Sequence, residues 1–285
     1  NSPSMIRDLK PELIHLMFQL ASITSPNIYE IDFMLASLLT SLEDYDKSIE
    51  VYKEIPTKHY LGEYASIQIS NLYSLEDNNK EAIEQLERFL KTKKTFDGFL
   101  SLGNYYRYDS EWKEALEAYK KAINIGDIFD NPNLWEAFFK AGIVNERSDN
   151  WNEAEINFLK ALELYSDQPD VLNYLGYSYI DMDINMTIAK EMIEKALKQK
   201  PNDPYIIDSM AWYYFKTGSY EEAKSLLEYA IDLMPYDPII NDHYGDALWK
   251  SGKNVEARFH WSKALELDPE EETIADIKIK ILKGI

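Results

Sequence analysis

Four histidines, His15, His59, His243 and His260, are the side chains best suited to move a proton or ligate a metal near neutral pH. His243 has Asp242 beside it and Asp246 three residues on, and a His–Asp set of that kind can hold a divalent cation. Against this, the equivalent place 34 residues earlier is held by Ser209, which marks the position as one of packing. Carboxylate pairs are everywhere among 50 acidic residues, so no single pair points to acid–base catalysis. There is no cysteine, which excludes thiolate zinc sites, disulfide scaffolds and cysteine nucleophiles. Ten glycines serve the whole chain, and none of the phosphate-cradling, dinucleotide-binding or nucleophile-elbow patterns occurs. The residues therefore predict no catalytic, metal or cofactor site and a chain that is not an enzyme.

Charge narrows the partners. The 285 residues carry 50 acidic against 30 basic side chains, a formal charge of −20 spread over both halves of the chain. A nucleic-acid binder shows a basic footprint instead. The acidic field keeps a helical surface solvated and favours cationic partners. With 45% hydrophobic and 13% aromatic residues the chain can bury a sizeable core. No apolar run approaches the roughly 20 residues of a membrane-spanning helix. The sequence begins at Asn1 rather than Met, which leads us to expect a processed or shortened N-terminus with any targeting signal out of view.

What must position any functional side chain is a repeat. Glu-Ala steps recur at Ala115, Ala154, Ala223 and Ala257, with Ala189 in the same role, and a second alanine follows seven residues later at Ala122, Ala161, Ala196, Ala230 and Ala264. Between them stands a large apolar residue: Tyr119, Phe158, Ile193, Leu227 or Trp261. A small residue precedes the first alanine at Gly103, Gly142, Ala211 and Gly245, with Gly176 displaced by one. Backwards, the series continues through Ala82 and Ser48 to Ile14, at intervals from Ile14 of 34, 34, 33, 39, 35, 34 and 34.

Two antiparallel helices per unit explain this spacing. Alanines seven apart share one helix face, and the small residue lets the paired helix approach closely. Asp203-Pro204 and Asp237-Pro238 place an N-cap before proline at the first helical position. Gly218 and Gly252 mark tight turns, a role that Asp109-Ser110 and Ser148-Asp149-Asn150 take elsewhere. Tyr45, Trp112, Trp151 and Tyr220 read as packing residues between the helices of a pair. Residues 1–28 read as a second helix without its first, residues 29–269 as an array of about seven pairs, and residues 270–285 as a capping helix with Ile274, Ile277 and Ile281 on one face. The excess of five residues at 124–133 is read as a longer surface loop, or else as a joint where the array changes twist.

These residues resemble the tetratricopeptide repeat, whose period is 34 and whose signature runs W-x2-L-G-x2-Y, A-x3-F-x2-A, then P. Pro201, Pro235 and Pro269 fit that last position, whereas Phe99, Phe138 and Ile207 stand where tryptophan is usual. The resemblance implies an all-α, right-handed superhelical solenoid of helix-turn-helix repeats. The segments at 169–177, 203–212 and 241–249 further resemble a mostly uncharacterised group from alphaproteobacteria, usually longer at the N-terminus and often exported. That group is similar to outer-membrane lipoprotein adaptors. The resemblance implies a periplasmic or membrane-anchored setting, while the absence of cysteine suits the cytoplasm equally.

The function this implies is a scaffold or adaptor that holds a peptide segment or partner protein in a concave groove. Counting from the small residue of each repeat, Asn104, Arg107, Asn173, Tyr177, Asp208, Trp212, Asp242, Asp246 and Trp249 fall at groove-facing offsets. The last seven pair amides and carboxylates, able to bond an extended backbone, with aromatic faces suited to cations. Either this polar set binds a partner, possibly a cationic one, or it only bridges neighbouring helices; as partner-binding residues, Asp208 and Asp242 are expected to stand outside the packing. Relatives that clamp a C-terminal carboxylate use Lys and Arg on this surface, so that activity does not carry over. The competing functions are self-association through the N-terminal end, where Leu13, Met17 and Leu20 form an apolar side of Leu9–Ile23, and service as the scaffold portion of a larger enzyme complex.

Overall fold

The computed structural model describes residues 11–25 and 27–285, with side chains from Leu16 onward except Ser22. Leu9, Leu13, Ile14, His15 and Pro26, which the repeat pattern includes, lie outside the described residues or side chains. Sixteen helices and no strand are found among the described residues. The chain divides into two compact units that meet in sequence at Asn157 and Phe158.

The first unit contains α1 (Pro11–Thr24), α2 (Tyr29–Ser41), α3 (Tyr45–Lys53), α4 (Gly62–Leu75), α5 (Asn79–Thr92), α6 (Phe96–Tyr108), α7 (Trp112–Ile128) and α8 (Leu134–Arg147). After α9 (Trp151–Leu164), the second unit contains α10 (Pro169–Asp181), α11 (Met186–Gln199), α12 (Pro204–Lys216), α13 (Tyr220–Leu233), α14 (Pro238–Lys250), α15 (Asn254–Glu266) and α16 (Glu271–Lys283). Within each unit successive helices pack on one another, and in the second α12 also packs on both α10 and α14. The even-numbered helices from α2 to α14 are thus the first of each pair, and in the second unit the stacking of α10, α12 and α14 builds a shared face.

One turn recurs between the helices of a pair. The second residue after the first helix is left-handed each time: Glu43, Asp77, Ser110, Asp149, Asp183, Gly218 and Gly252. The next N–H then reaches back five residues, as in Asn78 to Tyr73 O at 2.9 Å, Glu111 to Tyr106 O at 2.8 Å and Lys253 to Leu248 O at 2.9 Å. This closes the helix end by satisfying a carbonyl that has no partner within the helix. So short a connection forces the second helix to run back along the first. Helix starts are equally local: Asp203 accepts from the Tyr205 and Ile206 N–H groups, Asp237 from Ile240, and Gln168 from Asp170 and Val171, each ahead of proline. Oxygen acceptors there satisfy donors the helix leaves free.

The core follows the repeat. The paired alanines and the large residue between them, including Tyr119, Ile193, Leu227 and Trp261, are fully buried. Each large side chain so buried contributes about 1.5–3 kcal/mol. Gly245 shows why its position must be small: a Cβ there would lie 2.5 Å from Trp261 Cδ1 and Nε1.

Residues 124–133 differ from a surface loop. The first five are helical and lengthen α7 to Ile128, six residues past Ala122, where the other second helices end within three residues of the matching position. Gly126 carries the extra turn past Phe96 and Leu134, whose rings and methyls sit where its Cβ would be. Ile128 and Phe129 then lie exposed.

Candidate functional site

In the second unit α10 supplies Asn173 and Tyr177, α12 supplies Asp208 and Trp212, and α14 supplies Asp242, Asp246 and Trp249. Stacking of these helices brings side chains about one repeat apart into contact. His243 Nδ1 sits 2.9 and 3.1 Å from the two Asp208 carboxylate oxygens. Both side chains are almost wholly buried, at 8% and 6% exposure. Burial alone would lower the His243 pKa, but the Asp208 carboxylate, aided by Asp242 and Asp246, outweighs it and holds the pKa above its ordinary value. The Trp212 ring stacks on His243 at 4.1 Å and 13°, and on Phe215 at 4.9 Å and 4°. Its indole N–H donates to Asp181 Oδ1 at 3.3 Å. Tyr177 lies 6.3 Å from the same imidazole, and burial, then Asp208, raises its phenol pKa.

The two remaining acids are held from the C-terminal helix. Lys280 of α16 donates to Asp242 at 2.7 and 2.9 Å and to Asp246 at 2.9 Å. Asp246 also accepts the Trp261 indole N–H at 2.8 Å. Burial raises the Asp246 pKa, with Lys280 opposing, while the two acids overcome burial to raise that of Lys280. Trp249 lies against Trp261 at 5.5 Å, beneath the Arg258 guanidinium at 4.7 Å, with the Gly284 backbone pressed on its edge.

The nine sequence-predicted residues thus fall into two groups. Asn173, Tyr177, Asp208, Trp212, Asp242, Asp246 and Trp249 lie on α10, α12 and α14 of the second unit. Asn104 and Arg107 lie on α6 of the first unit, where Asn104 Oδ1 accepts from Tyr119 OH at 2.8 Å and Arg107 Nε is buried without a hydrogen-bond partner. Asn173 Oδ1 is likewise buried without one. Asp208 and Asp242 do not stand outside the packing: α14 brings His243 to Asp208 of α12, and α16 brings Lys280 to Asp242 of α14. Counting offsets on single helices missed both cations. An acid and a histidine 35 residues apart, in a period of 34, were the available signal.

Another histidine behaves oppositely. His260 on α15 shares a hydrogen bond with Asn241 Oδ1 at 3.0 Å and packs on Tyr244 at 4.6 Å. Burial lowers its pKa to about 4. Among the described residues no cluster of three or more His, Cys, Asp or Glu could hold a metal ion, and no helix is long and apolar enough to cross a membrane.

The tetratricopeptide repeat family profile matches residues 30–55. Over 127 residues the chain is 28% identical to the TPR repeat-containing protein PA4667 of Pseudomonas aeruginosa, which covers 43% of this chain and 19% of that protein. The chain therefore spans about a fifth of the length of this curated relative. A tetratricopeptide repeat protein from Parabacteroides merdae superimposes with a TM-score of 0.69 at 16% identity, covering 90% of this chain and 99% of that one. The Cut9–Hcn1 hetero-tetramer of APC/C gives 0.69 at 14% identity, covering 96% and 53% of the two chains. Yeast Tom70 gives 0.61 at 13%, covering 96% and 58%. These likenesses show the fold: an all-α solenoid of paired-helix repeats.

Proposed function

Because the chain is a tetratricopeptide-repeat protein, we propose that it is a scaffold that binds a peptide segment or partner protein on the shared face of α10, α12 and α14. The fold is in general a platform for protein–protein interaction, and its members are typically not enzymes. What carries the finer reading is the way Tyr177, Trp212 and Asp242 are held. Each is only partly covered, yet Trp212 is stacked on His243, Asp242 is bonded to Lys280, and Tyr177 lies beside the same imidazole. A surface ordered before binding loses little side-chain entropy when a partner arrives. Aromatic rings supply its apolar contact, and a cationic partner side chain would share Asp242 with Lys280. Since Lys280 and His243 offset much of the local acid charge, added salt should weaken such binding only modestly. The test is affinity capture from native cells with wild-type protein and with Asn173→Arg, which places a bulky cation on α10. The reading expects one or more partners to be lost from the variant while its helicity and melting persist. Capture that is the same with both proteins contradicts it.

Self-association is a second reading, favoured by α1. Leu16, Met17, Leu20 and Ile23 are each about half exposed or more. Sedimentation velocity across a hundredfold concentration range tests it. A concentration-dependent dimer that Leu20→Glu abolishes supports this reading, and a monomer throughout removes it.

A further inference from the structure

The first unit carries a cleft rich in lysine. In the second unit, twenty-seven or twenty-eight residues separate a position just before the first helix of a pair from a position on its second helix that touches it. In three repeats of the second unit the two attract: Lys195 pairs with Asp167, Tyr229 OH donates to Asn202 Oδ1 at 3.0 Å, and the Lys263 ammonium lies 5.5 Å from the Tyr236 ring. At the same two places the α6–α7 pair has Lys94 and Lys121. Two lysines cannot form such a pair.

Among the described residues neither lysine forms an ion pair, and Glu117, the one acid of the cleft, is paired with Lys120. The ion pairs of this region go elsewhere: neighbouring Lys93 to Glu63 at 3.6 Å, and Lys120 to Glu117 at 3.5 Å. Lys121 instead sits 5.6 Å from the Phe99 ring. Lys94 and Lys121 line one cleft of about 370 Å³, together with Phe99, Asn124, Ile125 and the paired Lys120 and Glu117. Most of its wall is apolar, and the volume falls within the range of small-molecule sites. The extra turn of α7 matters here, since it keeps Asn124 and Ile125 inside the helix rather than at its fraying end. In a chain of net charge −20, two unpaired ammonium groups facing one apolar cleft are poorly used unless an anion joins them.

We propose that this cleft binds a small organic anion with an apolar body, its carboxylate bridging Lys94 and Lys121 and its ring or chain resting on Phe99 and Ile125. The site is separate from the face of α10, α12 and α14. The probe is 1-naphthoate, titrated by ¹H–¹⁵N NMR, with neutral 1-naphthylmethanol and acetate as comparisons. Naphthoate is expected to shift the amides around Lys94, Phe99, Lys121 and Asn124. It should bind on the order of tenfold more tightly than either comparison and than it binds the Lys94→Gln/Lys121→Gln double variant, since each exposed charge contact is individually modest. Lys121→Glu should abolish binding, because it removes one ammonium group and sets a second acid one turn from Glu117. The proposal is overturned if naphthoate does not bind, if it binds the double variant or the neutral alcohol equally well, or if its shifts fall elsewhere. Binding by Lys121→Glu as tight as that of wild type equally overturns it.

Discussion

His243 Nδ1 lies 2.9 Å from Asp208 Oδ1, so a histidine on α14 answers an acid on α12, one repeat earlier. The same imidazole is the stacking partner of Trp212, so one side chain both balances a buried charge and props up an aromatic ring. Removing one member should therefore be expensive. Asp208→Ala leaves a buried imidazole without its carboxylate and should destabilise the second unit by about 3 kcal/mol, whereas Asp208→Leu/His243→Leu should cost less than the single change. Urea unfolding monitored by Trp fluorescence checks both. Equal stability of wild type and Asp208→Ala contradicts the pairing.

Buried His243 and half-buried His260 should give stability opposite pH slopes. The His243 pKa is raised above 6.5, so its contribution is complete below about 6.5 and is lost as pH climbs through the folded-state value. The His260 pKa is lowered to about 4, so its native form is neutral; its contribution is complete above about 6.5 and fades as pH falls towards 4. Melting temperature against pH should fall on both sides of this region. His243→Gln should flatten the alkaline side and His260→Gln the acid side. Parallel curves for wild type and both variants refute the assignment.

Lys280 is the fastener of the last helix. Lys280→Met leaves Asp242 and Asp246 facing each other and should cost about 1–3 kcal/mol. Local opening confined to α16 and its contacts is the expected form of that loss. Hydrogen exchange should accelerate across Glu271–Lys283 while α12 and α13 keep their protection. Uniform acceleration across the second unit, or none, argues against a fastening role.

Close approach at the small positions is equally specific. Gly245→Ala inserts a methyl group into the Trp261 ring and should cost about 1–3 kcal/mol. Ala211, at the equivalent place on α12, already carries that methyl group opposite Leu227. Trp261→Leu should therefore rescue Gly245→Ala in part. A double variant less stable than the sum of the single changes contradicts this contact.

The repeat made the helix pairs, their caps and turns and the fully buried alanines legible, because each is fixed by residues within a few positions of one another. The candidate site was legible only in outline. Offsets placed Tyr177, Trp212 and Asp242 on the first helices of their pairs, yet whether Asp208 stands free depends on His243, which arrives only when α14 packs on α12. Lys280 is further removed still, since its position on α16 follows from how that helix docks on α15. The residues at 124–128 misled for a local reason: Asn124, Gly126 and Asp127 are turn formers, but Phe96 and Leu134 fill the space beside Gly126 and hold the helix together.

Binding on the shared face of α10, α12 and α14 is tested most directly by site-specific photo-cross-linking in native cells. A photoreactive phenylalanine is placed singly at Asn173 or Tyr177 on that face, or at Val255 or Phe259 on α15, which are among the most exposed apolar side chains of the second unit. Cross-linked products are then identified by mass spectrometry. The account predicts that Asn173 and Tyr177 capture one or more shared proteins and that Val255 and Phe259 do not. Capture from Val255 or Phe259 alone, or none from Asn173 and Tyr177 in variants that melt as wild type does, would contradict it.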